Sequence, residues 1–274
     1  MGTSTSSSGP GSGNPLDPPW LDDVASGVGS GSGVPIGDPG VPPRDGPTGN
    51  AAPARYREAR TQLRKFINTG DRASLGRALG HYSRSGSGGA GAAASRMRAS
   101  TKAGAELFSL LSAAATRSSA EARAWVDDLR NSGATADDVV NAIVKELAPP
   151  GGSADEESLR DAMAAALSDL LVQEPNLDLL SLGQDDIWSL MSLFLAIEVT
   201  NRVCFDIGQS LESSQVEPAI AVQREQEMRG FIRSEVRTAV RALRTTTANP
   251  TRAELDDLMQ VAVKTTFEVF EGLL

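Results

Sequence analysis

One histidine and one cysteine, His81 and Cys204, are the pair available in this chain for a nucleophile and its base. Neither sits in a known local signature. Cys204 lies in the apolar run VCF and reads as a small core residue. His81 lies in GHYSRSG, at the end of a short predicted helix, where it suits a structural or C-terminal helix role. A zinc site would need more Cys or His ligands than the chain has. Paired carboxylates occur at Asp127–Asp128, Asp137–Asp138 and Asp185–Asp186. Their places near helix starts and on polar faces suit dipole and solvent duty better than acid–base chemistry.

Two patterns could hold an anion. RSGSGGAGAAAS is a glycine-rich loop leading into a helix, with Arg77, Arg84, Arg96 and Arg98 nearby. Backbone amides at such a junction can cradle a phosphate. The stretch lacks the Gly-Lys-Ser/Thr ending of a P-loop and has no strand before it, so a close-packing hinge competes with that reading. Farther on, Arg229, Arg233, Arg237 and Arg241 recur every four residues, which puts them on one helix face. They form either a solvated stripe beside acids such as Glu225 or a rail for an acidic partner or phosphate backbone.

The N-terminal stretch MGTSTSSSGPGSGNPLDPPWL offers different chemistry. Removal of Met1 would expose the α-amine of Gly2. With a pKa of about 7.7–8.0, that amine is partly unprotonated and nucleophilic near neutral pH. M-G-x-x-x-Ser, with Ser6 in the last slot, also fits a myristoylation pattern. Trp20 follows Pro18 and Pro19, whose stiffness lowers the cost of seating an aromatic anchor in a partner's pocket.

The elements that must carry these residues read as helices. Hydrophobic residues make up 40% and aromatics only 4%, so alanine and leucine supply the apolar content. Residues 1–50 hold 12 of the 27 glycines and 9 of the 15 prolines, too little apolar surface to offset ordering entropy. Residues 1–52 are therefore expected to be a disordered tail, and 53–274 an all-α, bundle-like domain with a possible seam at Pro149–Gly152. Tyr56, Ala59, Leu63, Phe66 and Ile67 mark a first helix, with Pro53 at its start and Gly70 at its end. A short helix over 71–83 and the glycine break precede one continuous helix over 92–116. Capping boxes at Ser118–Glu121 and Ser153–Glu156, together with Thr135, open the next three helices. Residues 185–207 are the most apolar stretch and the expected central helix. Residues 218–246 form an amphipathic helix with Met228, Ile232, Val236, Val240 and Leu243 on one side. Pro250-Thr251-x-x-Glu254 begins the last, which runs to about Gly272.

Charge narrows the function classes. The net charge is -9, which disfavours whole-surface binding to nucleic acid or an anionic membrane. It is unevenly placed: residues 51–102 carry 11 Lys/Arg against 2 Asp/Glu, between an acidic tail and an acidic body. No apolar run reaches the roughly 18–20 residues of a membrane helix. One cysteine gives no internal disulfide, and the start has no secretory h-region, so a cytoplasmic location is expected.

The opening, with its Met-Gly-Thr-Ser start, early Gly-Pro and Pro-Leu-x-Pro-x-Trp element, resembles the N-terminus of the QatB family of the Qat anti-phage defence system. GRALGHYSRSGSGGAGAAASRMRASTKAGAELFSLL is similar to that family's central segment, with its His-Tyr pair, glycine break and small-residue helix. The rest of the chain is similar only in being helical and acidic. The resemblance implies a non-catalytic subunit with partners: a P-loop ATPase (QatA), a QueC-like synthase (QatC) and a TatD-like nuclease (QatD). It also implies that QatC modifies the Gly2 amine, recognising Thr3, Ser4, Pro10, Pro15, Leu16, Pro18, Pro19, Trp20 and Leu21. No cofactor or metal is implied. The rival readings are a nucleic-acid or nucleotide sensor that uses the basic segment 55–102, with Arg84, Arg96 and Arg98, and the Arg229–Arg241 stripe; a carboxylate enzyme; and, last, a myristoylated anchor, since one acyl chain holds a membrane only marginally.

Overall fold

The architecture grows around one helix whose apolar residues cover every face. The computed structural model describes residues 55–148, 154–212, 216–245 and 250–274, and Tyr56–Leu274 form one compact unit. The tail residues 1–54 and the Pro149–Gly152 break lie outside the described residues. All regular structure among the described residues is helical: α1 (Arg57–Thr69), α2 (Arg72–His81), a π-turn (Tyr82–Gly86), α3 (Ala90–Ser95), α4 (Arg98–Thr116), α5 (Ala120–Asn131), α6 (Ala136–Leu147), α7 (Ala154–Gln173), α8 (Gln184–Ile207), the short α9 (Gln209–Glu212), α10 (Pro218–Arg244) and α11 (Arg252–Glu271). None is long and apolar enough to cross a membrane.

The central helix is α8. Trp188, Leu190, Met191, Phe194, Leu195, Val199, Val203 and Ile207 are all buried. Apolar residues on all sides cannot be satisfied by one neighbour. Accordingly α8 packs against α10, α7 and α4. A second buried helix, α11, lies against α4, α3, α10 and α2, and brings Met259, Val263, Phe267 and Phe270 inside. The stripe expected on α10 faces inward: Met228, Ile232, Val236 and Val240 are buried, and Leu243 is half-buried.

Several ends follow their sequence signals. Gly70 closes α1 in the left-handed conformation (φ 73°), and its N–H donates to the Phe66 carbonyl. Thr135 with Asp138, and Thr251 with Glu254, form reciprocal caps. Three expectations are corrected. The cap of α5 is Ser119 rather than Ser118, its Oγ accepting from the Ala122 N–H. The second helix does not run regularly to Ser83; it widens at Tyr82 into the π-turn. The helix expected over 92–116 is broken at Arg96–Met97. There Met97 turns into the core at 2% exposure, while the Arg96 side chain is drawn towards Asp206.

Helix α2 meets the end of α11 through glycine. A Cβ on Gly80 would lie 2.7 Å from the Phe270 carbonyl oxygen and 2.8 Å from Leu274 Cγ. Gly80→Ala is therefore expected to destabilise by about 1–3 kcal/mol, through overpacking against backbone that cannot yield. Gly91→Ala, where nothing lies within 4 Å, is expected to be neutral or stabilising by up to about 1 kcal/mol. Chemical denaturation of the two variants checks the contrast.

Candidate functional site

The densest polar constellation surrounds Asp206, in the last turn of α8. Its residue is 4% exposed, in the apolar sequence VCFDI. A buried carboxylate persists only where donors meet it. Tyr82 Oη donates to Asp206 Oδ2 at 2.8 Å, and Tyr56 Oη donates to the same oxygen at 3.1 Å. Arg96 Nη2 donates at 3.2 Å, and Arg202 Nε stands 3.6 Å away, at ion-pair rather than hydrogen-bond range. Arg96 Nη1 also donates to Tyr56 Oη. Arg60 caps the set by donating to the Asp206 main-chain carbonyl at 3.1 Å. The two tyrosine rings stack, with centroids 5.3 Å apart. They are the only tyrosines in the chain, and both serve this carboxylate. Burial, reinforced by the Asp206 charge, pushes the Tyr82 phenol well above its ordinary value.

Beside this network lies a cavity of about 230 Å³ bounded by Arg96, Ser158, Glu198, Asn201, Arg202 and Phe205. Glu198 is buried and accepts a 2.5 Å hydrogen bond from Ser100 Oγ. Phe205 is 64% exposed at the rim, with the Arg202 guanidinium 5.9 Å from its ring centroid.

The arginine row divides. Arg229 pairs with Glu225 at 2.6 Å on its own helix, and Arg233 reaches Asp169 of α7 at 2.7 Å. Arg237 and Arg241 have no carboxylate partner among the described residues. Arg244, outside the row, pairs with Asp185. Arg233, Arg237, Arg241 and Arg244 together line a groove of about 250 Å³ against Trp188 and Leu193 of α8.

The remaining candidates take these places. Arg84 and Arg98 are exposed, whereas the charge of Arg96 is engaged by Asp206. In the glycine-rich stretch, Ser87 N–H donates to the Tyr82 carbonyl at 2.8 Å and Gly89 N–H to the Ser83 carbonyl at 2.9 Å. Ser83 Oγ donates to Glu271 at 2.7 Å, which sets a carboxylate beside the loop. Those amides serve packing. His81 ends α2 and Cys204 lies in α8, with no hydrogen bond between them among the described residues. Burial pushes the Cys204 thiol up, so little thiolate forms near neutral pH. At least one member of each carboxylate pair serves structure. Asp138 caps α6 and is held below its ordinary value by the Thr135 hydroxyl and N–H, Asp186 accepts from the Gly183 N–H at 3.0 Å, and Asp127 pairs with Arg117 at 3.1 Å. No cluster of potential metal ligands occurs among the described residues. Gly2, Thr3, Ser4, Pro10, Pro15, Leu16, Pro18, Pro19, Trp20 and Leu21 lie outside them.

Charge and periodicity did not single out Asp206, Tyr56 and Tyr82. A carboxylate inside the most apolar helix was the available signal, since such a group requires partners from elsewhere in the chain. Asp206→Ala would strand Arg96 and Arg202. It is expected to cost about 3–5 kcal/mol, visible as a melting temperature lower by roughly 10 °C. Tyr82→Phe is expected to cost about 1.5–3 kcal/mol at neutral pH. Because folding raises the Tyr82 value, the unfolded chain ionises first. The stabilisation is whole below the ordinary tyrosine range and is lost as pH climbs towards the folded value. Unfolding free energies of the wild type and Tyr82→Phe should therefore converge above about pH 10.

Comparison with known proteins places this geometry. Neither a curated protein nor a solved structure matches the chain. A family model described as "Qat anti-phage system associated protein QatB" matches residues 88–270. The match takes in the end of the glycine break and helices α3 to α11, including Arg96, Asp206 and the α8–α10 groove. Most of it falls on the helical body, where the resemblance read from the sequence was weakest. The chain belongs to the QatB family, a component of the Qat anti-phage system.

Proposed function

We propose that this chain is a non-catalytic, cytoplasmic subunit of a Qat defence complex, and that its N-terminal tail is the part a partner enzyme acts on. The observation that carries the reading is the family match over residues 88–270, because a Qat component works beside other Qat components. A QueC-like partner, QatC, recognises Thr3, Ser4 and the Pro10–Leu21 stretch with Trp20 as anchor. It then transfers an activated carboxylate to the Gly2 amine. The amide C–N bond forms as the activating group leaves with the acyl–oxygen electrons, and the amine gives up a proton. Near neutral pH such an amine is partly unprotonated, as the transfer requires. QatA, the P-loop ATPase, and the TatD-like QatD complete the set of partners.

The structural duties of the carboxylate pairs support a non-catalytic role. Asp138→Asn and Asp186→Asn should leave phage protection intact.

Intact and N-terminal peptide mass, measured on the protein expressed alone and beside its genomic neighbours, tests the reading. A mass gain confined to the Gly2 peptide and dependent on the QueC-like neighbour is expected. Trp20→Ala should lower the modified fraction. Loss of Met1 with no further change in the presence of all neighbours would contradict the proposal.

A further inference from the structure

Four arginines from the last turns of α10 face one groove, and their charges are not equally spent. Arg233 is offset by Asp169 and Arg244 by Asp185, at the two flanks. Arg237 and Arg241 stand between them with no carboxylate partner among the described residues. The two are four residues apart on one helix, so their guanidinium heads can converge on a single group. The local excess is thus about two positive charges, matching the roughly -1.5 to -2 of a phosphate monoester at neutral pH.

Complementing the helix dipole accounts for arginines in the last turn of α10, Arg241 and Arg244. It does not account for Arg237, farther from the helix end, nor for a concave surface under it. That surface is apolar at its floor, where Trp188, Leu193 and Val240 lie, and the Ser189 side chain and Gln173 stand at the edge. Gln173 Nε2 donates back to the Asp169 carbonyl at 3.0 Å. The volume, about 250 Å³, falls just below the roughly 300 Å³ at which small-molecule pockets begin, so only part of a ligand is enclosed. A long nucleic acid fits poorly, because it would have to lie along a protein of net charge -9 whose groove is flanked by Asp169 and Asp185.

We propose that the groove between α8 and α10 binds a small phosphate monoester of nucleotide size, with Arg237 and Arg241 on the phosphate and Trp188, Leu193 and Val240 beneath its organic body. The site goes beyond the tail reading and does not depend on modification at Gly2.

Isothermal titration of the full chain with the four 5′-mononucleotides, with inorganic phosphate, and with a single-stranded oligonucleotide lacking terminal phosphates tests the assignment. At least one mononucleotide should bind saturably, with a Kd of about 10–100 μM, and more tightly than phosphate. The Arg237→Ala/Arg241→Ala double variant should weaken it at least about tenfold while keeping the wild-type melting temperature. Arg229→Ala, outside the groove, should leave it unchanged. Absence of mononucleotide binding at about 1 mM, binding that survives the double substitution, or binding of the oligonucleotide alone with a steep salt dependence would each overturn the proposal.

Discussion

A single buried carboxylate sets the terms for the N-terminal half of the fold. Asp206 sits in the last turn of the most apolar helix, where an uncompensated charge would cost several kcal/mol. Its donors come from three separate places besides α8 itself: Tyr56 at the start of α1, Tyr82 in the π-turn, and Arg96 at the joint of α3 and α4. Each irregularity of the backbone there has a counterpart in that demand. The π-turn begins at Tyr82, and the helix break at Arg96–Met97 frees Arg96 for the carboxylate while Met97 enters the core. The glycine break between them then closes on the carbonyls of Tyr82 and Ser83.

The same logic extends through a core short of aromatic bulk. Ala90, Ala93 and Ala94 of α3, and Ala103 and Ala105 of α4, let helices approach closely but bury little area each. Polar pairs with long sequence separation join these helices: Ser100 with Glu198, Thr101 with Asp256 and Gln260, and Ser83 with Glu271. An alanine surface alone is tolerant of sliding, whereas a hydrogen bond between fixed partners is not. Polar pairs of this kind specify register even where their net contribution to stability is small.

Much of this was legible in the sequence, and the parts that were not share a cause. The stripe Met228–Ile232–Val236–Val240 and the caps at Thr135 and Thr251 are local patterns, read directly from spacing. The break at Arg96–Met97 carries no glycine or proline, and the contact that Arg96 makes there is with a residue 110 positions away. The arginine row shows the same limit. Spacing placed Arg229, Arg233, Arg237 and Arg241 on one face, and Glu225, one turn before Arg229, was visible beside it. The pairing of Arg233 with Asp169 is 64 positions apart and was not. Arg244 joins the groove three residues off the row, because the groove wall is wider than one line of side chains. The family signal was likewise split. The tail motif lies outside residues 88–270, and the helical body that looked generic carries the match.

The central physical claim is that Asp206 holds α1, the π-turn and the α3–α4 joint onto α8. Native-state hydrogen exchange on the wild type and Asp206→Asn measures it most directly, because it reads opening element by element. The account predicts that amides of α1, α2 and α3 lose protection together in the variant, while α5 and α6, which pack on α4 and α7 away from the carboxylate, exchange as in the wild type. Uniform loss across all helices, or no loss in α1 to α3, would contradict it.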